Sequence, residues 1–129
     1  MALKVKYSPI KLNVEGVEDL YFKIYPMKQM MEIVNDFAEE DRKANEAVSE
    51  LNKRAEAGEE ITQEQYEEAE GRSVVERMIN AFIVDADGNS YEELATDESI
   101  QAHLSMGQIQ SLKEQISNQA SFGDDTAKN

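Results

Sequence analysis

The sequence contains no cysteine and only one histidine, His103, among its 129 residues. Without cysteine the chain cannot form disulfide bonds, thiolate metal sites or cysteine nucleophiles, and this composition suits a reducing compartment. One histidine without a second histidine or a cysteine does not make a zinc site. No neighbouring residue marks it as a general acid or base. We therefore interpret His103 as a structural or surface residue.

The sequence also lacks the patterns of membrane insertion and of several enzyme classes. It has no apolar run of about 18 residues, and its N-terminal segment has no long apolar core, so we expect neither a membrane span nor a signal peptide. No serine occupies a Gly-x-Ser-x-Gly elbow, and no glycine-rich phosphate loop occurs. We predict a protein that is not an enzyme, with no catalytic residues and no cofactor.

Basic residues are scarce and unevenly placed. The chain has 27 acidic and 13 basic residues and a net charge of −14. This balance argues against nucleic acid as a partner, because neutralising phosphates needs clustered lysine and arginine. Residues 1–28 carry five lysines and three acids, whereas the remainder carries eight bases and 24 acids. The split favours attraction between copies of the chain, although solvated acidic helix faces explain it more simply.

Two stretches near the N-terminus alternate between apolar and polar residues, a pattern typical of strands. Their apolar members are Ile10, Leu12 and Val14, then Leu20, Phe22 and Ile24. With a turn signal at residues 15–19 between them, they predict a β-hairpin with one apolar face. That face must lie on helices or pair with another chain, because an isolated hairpin is marginal in water. Leu3, Val5 and Tyr7 alternate in the same way before Pro9 and form a candidate short strand.

Helical periodicity begins at Pro26, a residue that suits the first turn of a helix. The apolar stripe that follows consists of Met27, Met30, Met31, Val34 and Phe37, and it fades through residues 39–43 before resuming. We expect the first half of this helix to be buried, the second half to project into solvent, and the helix to end near Gly58. A capping box at Thr62 and Gln65 begins a second helix that we predict to continue to Phe82, giving an αα-hairpin.

Residues 85–96 resemble a calcium-binding loop but lack two of its required positions. With Asp85 as the first ligand of an EF-hand, Asp87 and Asn89 fit the next two. Ser90 then replaces the glycine and Thr96 replaces the bidentate glutamate. Placing Gly88 at the glycine position fits worse. We interpret Asp85-Ala-Asp-Gly88 as a turn and predict no metal site.

The C-terminal third is predicted to form short capped helices. Capping boxes begin at Ser90 and Ser105, and Ile109, Leu112, Ile116 and Ala120 form the stripe of a last helix. The predicted fold is α+β, with an N-terminal β-hairpin packed on a mainly α-helical body of three to four helices. We predict one domain over residues 1–122, made of the hairpin (1–26), a helical hairpin (27–84) and the C-terminal helices (85–122). A flexible tail follows at residues 123–129.

Five residues form the candidate partner-binding set: Tyr21, Tyr25, Met27, Met30 and Met31. Methionine is flexible and polarisable, so the cluster suits a surface that accepts varied partners, although helical spacing also predicts ordinary core packing. Tyr21 and Tyr25 lie opposite the apolar face of the hairpin. Two tyrosines on a nominally solvent face indicate that the face is covered, as by a neighbouring subunit. We therefore expect a homo-oligomer.

The order of these elements resembles the tail assembly chaperones of long-tailed bacteriophages. The resemblance is carried by the short β unit, the charged helical middle and, above all, residues 78–122. There an apolar helix end at residues 78–84 leads into Asp85-Ala-Asp-Gly88 and an acidic segment at residues 91–97. A helix with Leu/Ile spacing runs from Leu104 to Ile116, with Phe122 after it.

This resemblance implies a non-enzymatic protein of the host cytoplasm that is not part of the mature virion. Such a protein binds the tape measure protein, recruits tail tube subunits during tail growth and self-associates. The resemblance transfers no site residue position by position. Two other classes also fit the composition. An acidic inhibitor or nucleic-acid mimic would present an ordered stripe of charge on a compact monomer, and a structural component would remain in the final particle.

Overall fold

The computed structural model describes residues 2–120 and shows the predicted α+β class. Its strands are β1 (Ile10–Lys11), β2 (Tyr21–Phe22) and β3 (Ile83–Val84). Its α-helices are α1 (Met27–Glu56), α2 (Gln63–Glu70), α3 (Val74–Phe82), α4 (Asp97–His103) and α5 (Met106–Ala120), with a 3₁₀ turn at Glu92–Leu94. Phe122 and the predicted tail at residues 123–129 lie outside the described residues.

The chain forms two compact units. The sheet unit contains residues 2–25 and 74–120, and the hairpin unit is Pro26–Ser73. The predicted boundary after residue 26 falls where the hairpin unit begins. The expected helical hairpin at 27–84 ends earlier, at Ser73, because α3 belongs to the sheet unit. The single domain over residues 1–122 stays a prediction.

The predicted β-hairpin is confirmed. Ile10 pairs with Phe22 and Lys11 with Tyr21, and the Leu12 N–H donates to the Leu20 carbonyl at 2.9 Å. The structure adds a third strand, because β3 pairs antiparallel with the other side of β2. Residues 83–84, which we predicted as the end of a helix, are therefore a strand. The Lys23 N–H donates to the Phe82 carbonyl at 2.7 Å and continues this pairing back to the end of α3.

The core of the sheet unit joins the apolar face of the hairpin to α3, α4 and α5. The Phe22 and Phe82 rings stack with centroids 5.0 Å apart and planes 11° apart. The least exposed side chains are Phe82, Ile83, Ile100, Leu112 and Ile116. Leu112 and Ile116 belong to the predicted stripe of the last helix, so that prediction is confirmed. The hairpin is thus covered by helices of its own unit, as a structure marginal in isolation requires.

The outer edge of β1 is closed by a side chain of α5. Because Leu12 bonds inward to β2, the alternation of an antiparallel ladder turns the backbone groups of Asn13 outward. The Asn13 N–H donates to Gln115 Oε1 at 2.9 Å, and Gln115 Nε2 donates back to the Asn13 carbonyl at 2.7 Å. The Gln115 amide therefore occupies the place that a neighbouring strand would take. Two residues further on, Gln108 Nε2 donates to the Glu15 carbonyl at 3.0 Å.

The hairpin unit consists of α1, α2 and their connections. Thr62 and Gln65 form the predicted capping box at the start of α2. The predicted continuous helix to Phe82 is wrong, because Gly71 adopts a φ of +69° and ends α2 at Glu70. A positive φ is accessible to glycine and breaks the helical hydrogen-bond pattern. Arg72 then forms an ion pair with Glu40 of α1 at 2.5 Å.

Two of the capping predictions have different outcomes. At Ser105, the Gln108 N–H donates to Ser105 Oγ at 3.1 Å and the Ser105 N–H donates to Gln108 Oε1 at 2.9 Å, so this box is confirmed. The predicted box at Ser90 is wrong, because Tyr91 precedes the 3₁₀ turn there without a side-chain cap. Thr96 instead caps the next helix, α4, by accepting from the Ser99 N–H at 3.1 Å.

We predict that Gly16→Ala lowers the free energy of unfolding by about 1–2 kcal/mol, since Gly16 has a φ of +84° that disfavours residues with a Cβ. The new Cβ would also lie 2.9 Å from Gln108 Nε2. Gly107→Ala is the matched control, because Gly107 lies in α5 with its nearest neighbour, Ser105 Oγ, at 4.0 Å. Alanine there should raise stability by up to about 1 kcal/mol. Equal effects of the two variants in urea unfolding would contradict this account of the turn.

Candidate partner-binding surface

The first half of α1 presents an exposed apolar stripe. Met27, Met31 and Val34 have the spacing i, i+4, i+7, which places them on one side of a helix. They are 79%, 58% and 40% exposed. We call these three residues the α1 stripe. Large apolar side chains exposed in a contiguous group mark an interaction surface more often than isolated ones do.

The stripe is uncovered within the hairpin unit because the returning chain is short. Helix α1 has 30 residues and a length of about 45 Å, whereas α2 has eight residues. The ion pair between Arg72 and Glu40 shows that the returning chain has reached only the level of Glu40 when the unit ends. The residues of α1 before Glu40 therefore have no second helix beside them in this unit.

This arrangement reverses our expectation for the burial of α1. We expected a buried first half and a projecting second half. In the structure the one buried residue of α1 is Leu51, in the half that faces α2. The stripe in the first half is exposed. Of the predicted stripe, only Met30 and Phe37 are half-buried in this half of the helix. Burial depends on which part of the helix meets a partner, and the hydrophobic pattern does not contain that information.

Acidic residues surround the α1 stripe. Residues 27–42 include five acids and two bases, Lys28 and Arg42. Arg42 Nε donates to Glu39 at 2.5 Å, and Arg42 Nη1 donates to Glu46 at 2.6 Å. The hydrogen bond from Arg42 lowers the pKa of the exposed Glu39 carboxyl. Because arginine pairs with Glu39 and Glu46, the negative border of the stripe depends mainly on Glu32 and Asp36, the acids closest to it in sequence.

The five candidate residues of the sequence analysis are distributed over both units. Met27 and Met31 are exposed on α1, and Met30 is half-buried. Tyr25 is half-buried in the sheet unit, where its ring meets Phe82 edge-on at 6.0 Å and its hydroxyl donates to the Ala81 carbonyl at 2.5 Å. Burial raises the pKa of the Tyr25 phenol.

These contacts give Tyr25 an internal packing role. Tyr21 is half-buried in β2, between its two neighbouring strands, and a partner role for either tyrosine stays a prediction. Val34 was missing from the candidate set although its spacing from Met27 indicated it. It was omitted because the helix residues of the candidate set were chosen for the flexibility of methionine.

The segment that resembles a calcium loop is a tight turn held by one carboxylate. Asp85 Oδ1 accepts from the Asp87 N–H at 2.8 Å and from the Asn89 N–H at 2.9 Å. Gly88 has a φ of +88°, and its N–H donates to the Asp85 carbonyl at 3.0 Å. Within residues 2–120, no group of three or more acidic or histidine side chains is placed to hold a metal ion. The Asp85 side chain therefore has a structural function in this turn.

The ends of this turn and of α4 carry two further polar side chains. Tyr91 follows the turn, and its hydroxyl donates to the Asp19 carbonyl. Burial, followed by the negative charges of Asp85 and Asp19, raises the pKa of the Tyr91 phenol. His103 is exposed at the end of α4, with Nδ1 2.9 Å from the Ser99 carbonyl oxygen. This position agrees with its interpretation as a surface residue.

Substitutions of Asp85 distinguish a structural role of its carboxylate in the turn from a role in metal binding. We expect Asp85→Ala to lower the free energy of unfolding by about 1–2 kcal/mol, because two backbone N–H groups lose their acceptor. Asp85→Asn, the matched control, keeps an acceptor oxygen and should remain close to the parent. Millimolar calcium should leave the urea midpoint of all three proteins unchanged. A calcium-dependent gain in the parent that Asp85→Asn abolishes would show that the turn is a metal site.

The described helices and the comparisons with known proteins add two findings. In residues 2–120, no helix combines the length and apolar character that crossing a bilayer requires. No protein-family model, curated protein or solved structure matches this chain.

Proposed function

We propose that this protein is a tail assembly chaperone of a long-tailed bacteriophage. In this proposal the α1 stripe binds apolar helical segments of the tape measure protein, and the bound chaperone recruits tail tube subunits during tail growth. The protein acts in the host cytoplasm and is not retained in the mature virion. The observation that carries the proposal is an apolar stripe exposed on a long helix, in a chain whose element order resembles that family.

The chemistry of the stripe suits recognition of a helix. An amphipathic helix docks through apolar residues spaced i, i+3, i+4 and i+7, and the stripe offers the complementary spacing on α1. Methionine has three rotatable side-chain bonds and a polarisable sulfur, so Met27 and Met31 can adapt to different partner sequences. A tape measure protein presents many different helical segments, and adaptable contacts are the economical way to hold them.

The size of the stripe predicts a weak and reversible contact. Burying the exposed area of its three side chains contributes roughly 3–5 kcal/mol. This gain is comparable to the free-energy cost of losing translational and rotational freedom on association. One copy alone should therefore bind a single helical segment only transiently. Several copies acting along one long partner would gain affinity through their effective concentration. Weak individual contacts also allow the chaperone to leave when the tube replaces it.

The acidic border contributes specificity and keeps the complex in solution. A negative rim repels acidic segments and favours helices whose flanks are neutral or basic. It also discourages association of complexes with one another, because like-charged surfaces repel. The negative border thus allows the apolar stripe to stay exposed while the protein remains in solution.

The second candidate function is an acidic inhibitor that occupies a basic site on a partner, and the net charge of −14 favours it. A mimic of nucleic acid needs an ordered row of unpaired negative charges. On the hairpin unit, arginines pair with several of the acids: Glu39, Glu40, Glu46 and Glu59. These ion pairs interrupt the negative surface, and this supports the chaperone over the inhibitor.

Introducing charge into the stripe tests the proposal. We expect the double variant M27K/M31K to reduce co-purification of a co-expressed tape measure segment by about 10- to 100-fold, corresponding to a loss of roughly 1.4–2.8 kcal/mol. Both side chains are exposed, so the circular dichroism spectrum should match that of the parent. Met106→Lys is the matched control, because Met106 is 87% exposed on α5, outside the stripe. It should bind as the parent does.

Two results would overturn the proposal in different ways. If the folded M27K/M31K variant solubilises the segment as well as the parent does, the stripe is not the binding surface. If the parent never solubilises the segment but binds polycationic ligands in a salt-sensitive manner, the acidic inhibitor takes the place of the chaperone.

A further inference from the structure

The N-terminal segment of the chain is a second exposed apolar feature. Residues 2–8, which we call the N-terminal arm, are all exposed and have no regular secondary structure. The arm contains Leu3, Val5 and Tyr7, and Leu3 is 89% exposed. Within residues 2–120, no strand pairs with the arm. An apolar sequence with strand alternation therefore lies in solvent just before β1.

The arm cannot simply extend the sheet through β1. Pro9 lies between the arm and β1 and has no N–H to donate to a ladder. The outer edge of β1 is closed at Asn13 by the Gln115 amide. The other edge strand of the sheet, β3, has only two residues, Ile83–Val84, and offers the arm little length to pair with. A helix surface is therefore the better receiver for the arm.

The arm and the α1 stripe match in spacing. In an extended chain, Leu3, Val5 and Tyr7 fall on one side about 6.6 Å apart and span about 13 Å. Met27, Met31 and Val34 span about 10 Å along a helix with a rise of 1.5 Å per residue. An extended arm lying along α1 would therefore place its three apolar side chains against the three side chains of the α1 stripe.

The arm and the surroundings of the stripe also match in charge. The arm carries Lys4 and Lys6 and no acidic residue. The stripe lies among five acids and two bases in residues 27–42. In an extended arm, Lys4 and Lys6 point to the side opposite Leu3, Val5 and Tyr7. Their charges attract the acidic residues of α1 over a distance within the Debye length of about 8 Å. The contact would thus be apolar at its centre and complementary in charge at its border.

We propose that the N-terminal arm of one copy binds the α1 stripe of a second copy. The contact links copies in a head-to-tail manner, because the donating and accepting surfaces differ, and it can continue from copy to copy. The inference rests on the exposed stripe and not on the identity of the partner in the proposed function. If both hold, the arm and the tape measure segment compete for one surface, and the arm protects the stripe until the partner is made.

Cross-linking between two engineered cysteines tests this contact directly. The chain has no cysteine of its own, so V5C and M31C each introduce a unique thiol. When the two single variants are mixed and oxidised without any tape measure segment, we expect a disulfide-linked heterodimer as the main product. Mixing V5C with M106C is the matched control, because Met106 is exposed outside the stripe. Its yield should be at least about fivefold lower.

Charge reversal and arm substitution give a second readout. K4E/K6E combined with V5C should lower the yield of heterodimer with M31C by about threefold or more, because the arm then repels the acidic border. The variant L3S/V5S/Y7S should shift the protein to monomer in light scattering. Its thermal midpoint should be unchanged, since the substituted side chains are exposed. Concentration-dependent association of the parent should be detectable by the same measurement.

Three outcomes would overturn the inference. Equal heterodimer yields with M31C and M106C would show collision without a specific contact. In the V5C/M31C double variant, an intramolecular disulfide could form at high dilution. If it forms there and the mixed single variants give no heterodimer, the arm binds its own chain. A parent that remains monomeric at every concentration would also contradict it. None of these results depends on the tape measure segment, so failure here leaves the chaperone proposal to its own test.

Discussion

A helix of 30 residues cannot be covered along its length by a returning helix of eight. This difference in length determines which part of α1 is covered in the hairpin unit. Gly71 limits the length of the returning helix, because its φ of +69° ends α2. The hairpin unit ends two residues later, at Ser73. The Arg72–Glu40 ion pair marks how far the returning chain extends along α1. The apolar stripe before that point has no covering helix within the hairpin unit, and its three side chains are exposed.

In the sheet unit, by contrast, the helices of the same unit cover the apolar face of the β-hairpin, and a side chain of α5 closes the outer edge of β1. Phe82 has a central place, since it is fully buried, stacks on Phe22 and meets Tyr25 edge-on. Gln115 closes the outer edge of β1 through a pair of hydrogen bonds. A two-residue strand has little stability by itself, so these side-chain contacts explain how such short strands persist. This unit leaves the N-terminal arm exposed, together with the side chains of Val74 and Met106.

The sequence predicted the elements that depend on local chemistry. The hairpin followed from alternation, and the caps at Thr62 and Ser105 followed from side chains that meet nearby backbone N–H groups. It did not predict β3, because two apolar residues after a helix show no period. It also missed the break at Gly71, since a single glycine inside a helical pattern is compatible with either a weak helix or a positive φ.

The same distinction applies to the candidate surface. Met27 and Met31 were predicted from their type and spacing, and both are exposed on α1. Val34 was missed because the selection by methionine chemistry left out a valine on the same side of the helix. Tyr25 was assigned to a solvent-facing side, yet its hydroxyl reaches the Ala81 carbonyl of α3, a contact made by residues far apart in the sequence. Such long-range contacts are set by tertiary packing, which local patterns do not contain.

Nuclear magnetic resonance titration with a helical peptide from a tape measure protein would locate the proposed binding surface. We expect shift changes to concentrate in residues 27–38, on the side of α1 that carries the stripe, while the turn at Asp85–Gly88 stays unchanged. The resonances of the arm should also change when the peptide displaces it. Shift changes confined to the sheet unit, or no changes at saturating peptide, would show that the α1 stripe does not bind such a helix.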